Sequence, residues 1–193
     1  MPRPGIPSLL MLCCPLASAA DEAGQWYVNP SIGGITPDKP WGGTGGAVLY
    51  GLDVGTHLSP AWSAEISLNG APLNDRFEPG HIWLYGGALN VLRVFERGAA
   101  VAPYVSLGAG ATHVAPPSPT PLESRTEFMV QPGFGAIVQL WQSSGGGRSL
   151  ALRPDIKVRW THGWAHAPGN PVDILYVLGL TFSFAGTEPR TPD

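Results

Sequence analysis

Apolar residues return at every second position in eight successive stretches of the chain. The last is the clearest. Val172, Ile174, Tyr176, Leu178, Leu180, Phe182 and Phe184 share one parity, while Asp173, Gly179, Thr181 and Ser183 share the other, with Leu175 and Val177 as its apolar members. The stretch before it alternates Leu150, Leu152, Ile156, Val158 and Trp160 with Arg153, Asp155, Lys157 and Arg159. Further upstream, Phe128, Val130, Phe134, Ala136, Val138 and Leu140 oppose Glu127, Gln131, Gly133, Gly135 and Gln139. Val101, Val105, Leu107, Ala109 and Ala111 likewise oppose Tyr104, Ser106, Gly108 and Gly110. The four remaining stretches begin at Trp83, Trp62, Val48 and Trp26, and their polar parity carries Asn90, Glu65, Asp53 and Asn29. A period of two belongs to strands that present alternate side chains to two faces. The pattern predicts an all-β chain.

An even number of strands, each near the 9 to 11 residues that cross a bilayer at a tilt, fits an antiparallel up-and-down transmembrane β-barrel. Its apolar parity would face lipid and its polar parity the lumen. With the N-terminus in the periplasm, the odd connections (Thr36 to Gly43, Asn69 to Gly80, Ala115 to Arg125, Gly163 to Pro171) are long and rich in Pro and Gly. The even ones (Ser59-Pro60, Glu96 to Ala100, Gln142 to Arg148) are mostly shorter, as periplasmic turns are. Aromatic residues gather at the strand ends. Trp26, Trp62, Phe95, Trp141, Phe182 and Phe184 mark a periplasmic rim, and Trp83, Tyr85, Phe128, Trp160 and Trp164 an outer one, as in interfacial girdles. Pro30, Pro132 and Pro154 fall inside strands, where a missing donor interrupts a closed ladder, so bulges or strand ends are expected there. A soluble periplasmic barrel or sandwich is the structural rival, because parity alone does not say which face meets lipid.

The N-terminus bears on that choice. Arg3 precedes an apolar run from Ile6 to Leu16 and then Ala17-Ser18-Ala19-Ala20, the layout of a secretory signal peptide over residues 1–20. The barrel is then expected over 21–186, with a short periplasmic tail at 187–193. Cys13 and Cys14 both lie in the leader, leaving no thiol, disulfide or cysteine metal site in the mature chain. The leader takes with it Arg3, one of 11 basic residues set against 14 acidic ones, so nucleic acid is not an expected partner. Gly at 26 and Pro at 21 of 193 residues with 13% charged residues are too apolar for disorder and too rich in turn formers for a helical protein.

The residues resemble the OmpA-like family of outer-membrane β-barrels. Trp26-Tyr27-Val28-x-Pro30 opens the first strand, with Gly33, Gly34 and Pro37-Asp38 after it. Pro103-Tyr104-Val105 leads to Gly108-x-Gly110, and Gly179-Leu180-x-Phe182-x-Phe184 closes the barrel. The resemblance spans nearly all of the mature chain and implies the cell outer membrane. It also implies contact with outer-membrane lipid and lipopolysaccharide, and passage through the barrel-assembly machinery with Phe184 as the terminal aromatic. Many relatives carry a peptidoglycan-binding domain after the barrel; this chain stops nine residues past Phe184, so no such domain is expected.

The lumen charges are the most informative chemistry. Glu127, Arg159 and Asp173 fall near the outer end of neighbouring strands with Lys157 a step below, and Asp53, Glu65, Arg153 and Asp155 lie lower. Unpaired charges are costly in so narrow an interior, so a connected ion-pair and hydrogen-bond network that fills the barrel is expected. The role is then structural, or else that of a gate in a small channel. His81, His113, His162 and His166 map to the outer rim and His57 to the other end, without a spacing that fixes metal ligands; no cofactor is expected. A lipid A deacylase barrel resembles the end of the chain loosely, through His162 and Asn170-Pro171. Trp164 stands at the nucleophile's place, however, and Asp173 has lumen parity, so catalysis is not expected. The exposed connections, including the Pro-rich Ala115 to Leu122, identify no ligand. The sequence reading is a structural, non-enzymatic outer-membrane barrel.

Overall fold

The computed structural model describes residues 24–37, 46–74, 81–115, 124–144, 147–162 and 171–184. Eight strands follow one another: β1 (Trp26–Thr36), β2 (Ala47–Ser59), β3 (Trp62–Asn74), β4 (His81–Val94), β5 (Val101–Ala115), β6 (Arg125–Gln142), β7 (Arg148–His162) and β8 (Val172–Phe184). Each pairs antiparallel with its sequence neighbours, and β1 pairs with β8 from Trp26 opposite Phe184 to Thr36 opposite Ile174, which closes the barrel. Closure leaves no strand edge with unpaired backbone groups, the condition for crossing a bilayer with strands. The expected leader at 1–20, the residues beyond Phe184 and most of the long connections lie outside the described residues; of the connection expected from Asn69 to Gly80, Asn69–Asn74 instead extends β3.

The two parities face opposite sides of the wall. Outward positions such as Ile32, Tyr50, Leu68, Leu89, Leu107, Phe134 and Leu178 are large, apolar and exposed, while Asn29, Asp53, Glu65, Gln131, Arg153 and Asp173 on the other parity are buried. Such an inversion of the usual polar exterior is that of a protein whose outer solvent is hydrocarbon. The end at which β2 meets β3, β4 meets β5 and β6 meets β7 in sequence has the short connections and is the periplasmic end by the rule of short inner turns.

The three prolines correct one expectation. Neither bulge nor strand end accompanies them. At Pro30 the β1–β8 ladder skips from Val28–Phe182 to Ser31–Gly179 without a change of register. Pro132 and Pro154 do the same to the β6–β7 ladder, which skips from Val130–Trp160 to Gly133–Lys157 and from Gly135–Asp155 to Val138–Leu152. On the opposite side each proline stays paired, with Leu52, Leu107 and Leu178 respectively. The ring therefore removes one donor toward one neighbour only, and the flanking pairs hold the register. The register shifts that do occur lie elsewhere, at His57/Ser59 and Gln139/Trp141. The second lets Leu140 and the adjacent Trp141 both face outward, which strict alternation forbids.

The lumen is layered. Near the long connections, Ile35, Leu49, Ala71, Leu73, Ile82, Leu84, Val114 and Leu175 form a buried apolar cluster. Near the short turns, Leu92, Val94, Ala102 and Tyr104 form a second one, with Ile137 against it. The polar and charged side chains occupy the layer between and the β6–β8 flank of the outer cluster.

Candidate functional site

Arg153 of β7 is the hub of the polar layer. Its Nη1 and Nη2 donate to the two carboxylate oxygens of Glu65 on β3 at 2.7 and 3.1 Å, the two-pronged geometry that makes arginine–carboxylate pairs strong. Its Nε donates to the Tyr104 hydroxyl at 2.7 Å, and its guanidinium lies 4.9 Å from the centre of the Tyr104 ring. Glu65 also accepts from the Tyr27 hydroxyl at 3.0 Å and, at 3.5 Å, from Ser67. Asn90 donates to Ser67 and Gln131 to Asn90, at 2.7 and 3.0 Å. Side chains of β1, β3, β4, β5, β6 and β7 thus join across the lumen. On the remaining arc, Thr181 of β8 donates to Asn29 of β1 at 3.0 Å, and Asn29 donates to Asp53 of β2 at 2.7 Å.

The other charges attach more loosely. Asp155 stands 3.3 Å from the Arg153 Nε, but its oxygens accept no hydrogen bond, so the contact is ionic. The Lys157 ammonium lies 3.9 Å from Glu65. Arg159 is fully buried and reaches across from β7 to donate through Nη2 to Asn69 of β3 at 2.7 Å, while its Nε and Nη1 have no hydrogen-bond partner. Asp173 sits opposite it in the β7–β8 ladder. Glu127 is buried on β6 with neither carboxylate oxygen accepting a hydrogen bond. The structure therefore gathers Glu65, Arg153, Asp155 and Lys157 into one group and Asp53 beside it, and holds Arg159 through Asn69. It leaves Glu127 outside the bonded set.

The described girdle residues point outward. Trp26, Trp62, Trp141, Phe182 and Phe184 are exposed at the short-turn end, and Trp83 and Trp160 at the other. Trp26 and Arg148 both pair with Phe184, and Trp83 stacks on Tyr85 at 5.9 Å. His57 stacks on Tyr27 at 5.0 Å, with its Nδ1 3.0 Å from the Ser63 hydroxyl, while His113 lies 2.9 Å from the Thr126 hydroxyl. Among the described residues no three histidine, cysteine or acidic side chains are grouped as a metal would need. His162 is exposed on the wall whereas Asp173 is buried inside it, so the two do not share a face. Trp164, His166 and Asn170 fall outside the described residues.

Neutral partners are what the charge-based reading missed. Tyr27, Asn29, Asn69, Asn90, Tyr104 and Gln131 carry much of the bonding, and their only signal in the sequence is lumen parity combined with a polar tip. The apolar outer cluster gave less: Leu49, Leu84 and Leu175 break the pattern of a polar lumen, and nothing local in the sequence says that they meet.

The sequence model described as "Outer membrane protein beta-barrel domain" matches residues 6–183. No curated protein matches the chain. Among solved structures, Neisserial surface protein A is 11% identical, with a TM-score of 0.66 over 83% of this chain and 99% of that one. The outer membrane protein OprG of Pseudomonas aeruginosa is 11% identical, with a TM-score of 0.56 over 87% and 99%. The N-terminal β-barrel domain of OprF from the same organism is 16% identical, with a TM-score of 0.52 over 84% and 98%. At these identities the likeness is one of fold. Eight closed strands, an apolar outer wall and a polar lumen agree with the family match, and the chain belongs to the outer membrane protein beta-barrel domain family, an eight-stranded OmpA-like barrel of the cell outer membrane.

Proposed function

We propose that the protein is a structural, non-enzymatic component of the outer membrane whose lumen is filled and closed to solutes. The observation that carries this reading is the layering of the interior. Arg153, Glu65, Tyr27 and Tyr104 tie opposite walls together, and the apolar cluster from Ile35 to Leu175 occupies the outer end. An ion crossing would have to break charged hydrogen bonds and then pass the apolar side chains that fill much of the outer end. The wall would contact outer-membrane lipid and lipopolysaccharide, and Phe184, outward at the end of β8, would serve the barrel-assembly machinery during insertion. Planar-bilayer recording of the purified protein tests closure: the expected trace matches the bare bilayer, and steady unitary steps would refute it.

One observation favours a gated channel as the second reading. Arg159 reaches across the lumen through one hydrogen bond to Asn69, while two of its nitrogens have no hydrogen-bond partner and Asp173 stands opposite it in the β7–β8 ladder. If that bond is a latch, Arg159→Ala opens a conducting state; if the outer apolar cluster closes the barrel by itself, the variant stays as silent as the wild type.

A further inference from the structure

Charge is rare on the outward face of the wall. On the described strands its cationic side chains are Arg93 of β4 and Arg148 of β7, both at the short-turn end. Arg93 differs from Arg148 in its surroundings. Its guanidinium carbon lies 5.1 Å from the centre of the Trp62 ring and 5.8 Å from that of Phe95. Trp62 is its direct partner in the β3–β4 ladder. Phe95 follows β4 by one residue and keeps the outward parity of Trp83, Tyr85, Leu89, Val91 and Arg93. Strand β4 ends at Val94, and the chain turns through Glu96 and Gly98 with φ of 51° and 92°. Phe95 N donates to Pro103 O at 2.8 Å and Ala99 N to Glu96 O at 3.0 Å, which fix the turn. Phe95 is thereby exposed beside Arg93, and the turn begins after it.

Two aromatic rings hold the guanidinium without using its N–H fork, since the attraction is to the ring faces. Among the described residues no ion pair engages Arg93, and Glu96 in the same turn forms none with it. A fixed fork with free donors at the membrane interface is suited to a phosphate oxygen pair. The rim also supplies the depth, because tryptophan sits at headgroup level. We propose that Trp62, Arg93 and Phe95 form a binding site for the phosphodiester headgroup of a phospholipid in the periplasmic leaflet. The guanidinium takes the phosphate, the Trp62 and Phe95 rings flank the glycerol region, and the acyl chains run along the apolar wall of β3 and β4 past Ala64, Ile66 and Val91.

Native mass spectrometry of the full folded protein released from detergent tests this, with phosphatidylglycerol, a diacylglycerol of the same acyl chains, and lipid A as separate probes. The expected result is one retained phosphatidylglycerol on the wild type and none of the diacylglycerol. Arg93→Gln should weaken retention about tenfold, the loss of one charge-assisted contact, while Arg148→Gln leaves it unchanged. Equal losses in the two variants, unchanged retention in Arg93→Gln, equal retention of diacylglycerol, or a preference for lipid A would each overturn the proposal. Boiling-sensitive gel mobility confirms that each variant is folded. Should Arg93→Gln fail that check, Arg93→Lys keeps the charge and removes the fork; retention equal to wild type in that variant would also overturn it.

Discussion

Arg153→Met is the perturbation that most directly tests whether the polar layer holds the barrel together. The residue is 1% exposed and satisfies both oxygens of Glu65, the hydroxyl of Tyr104 and the charge of Asp155. Methionine fills much of the same length with no donor. Glu65 then keeps the Tyr27 hydroxyl, the long contact from Ser67 and the ammonium of Lys157 at 3.9 Å. Removing one partner of a buried pair costs about 3–5 kcal/mol, because the other charge is left desolvated. Lys157 is already close enough to take over part of the charge compensation, so the expected loss is about 3 kcal/mol, the low end of that range. The measurement is urea unfolding from lipid vesicles, followed by tryptophan emission and by heat-modifiable gel mobility, read as a midpoint shift at constant slope. Glu65→Leu in the same series supplies the cycle. If the fork is the source of the stability, the double variant recovers part of the loss, with a coupling of about 1–3 kcal/mol. A single-variant loss below about 1 kcal/mol, typical of an exposed pair, would refute the reasoning. So would additivity within about 0.5 kcal/mol, as between sites that do not touch.

The wall permits sharper contrasts. A Cβ on Gly33 would sit inside van der Waals contact of the Tyr176 carbonyl oxygen, whereas one on Gly34 meets nothing closer than the Ala47 carbonyl at 3.8 Å. Gly33→Ala should therefore lose about 1–3 kcal/mol as an overpacked site does and Gly34→Ala almost nothing; equal midpoints in urea would contradict this. Leu89, 68% exposed at the middle of β4, faces the hydrocarbon, so Leu89→Arg should cost about 2–4 kcal/mol in vesicles. A variant folded as stably as wild type there, or one that folds in plain buffer, would count against lipid contact. Pro132→Ala returns a donor to the interrupted β6–β7 ladder and should slow amide exchange at positions flanking Val158, with stability unchanged or raised by about 1 kcal/mol. Faster exchange along that seam would show that the proline does more than omit a bond.

Which parts of this were legible in the sequence follows from the range of the interactions involved. Parity is local and is imposed by the strand itself, so Leu178 and Asp173 reveal their faces within a few residues of chain. The turn-length asymmetry and the aromatic rims are local in the same sense. The partners of the lumen are not: Arg153 and Glu65 lie 88 residues apart, and their meeting depends on closure and on the tilt of every strand between them. Departures from alternation were hidden as well. The shift at Gln139/Trp141 places Trp141 outside beside Leu140, and it is a backbone event with no composition of its own. The prolines misled in the opposite direction, because the argument from a missing donor holds for one neighbour at a time, and the second ladder was enough to keep the register.

The two solvents of the wall explain why the interior mixes charge with apolar plugs. Outside, hydrocarbon gives little drive for one apolar side chain to prefer another over lipid, so packing on that face adds little specificity. The lumen side chains have no such substitute: Arg153, Glu65, Asp53 and Asn29 must find one another or water once the barrel closes. Their bonds cross the lumen and thereby select the one closure in which Tyr27, Glu65, Tyr104 and Arg153 coincide. A shift of any strand by two residues keeps its parity, and thus its lipid face, but carries these groups about 7 Å out of register. The outer wall is therefore satisfied by several registers and the polar layer by one. It follows that substitutions in the layer should disturb register and closure before they disturb membrane affinity, and that the apolar clusters at the two ends keep water from offering the misregistered charges an alternative partner.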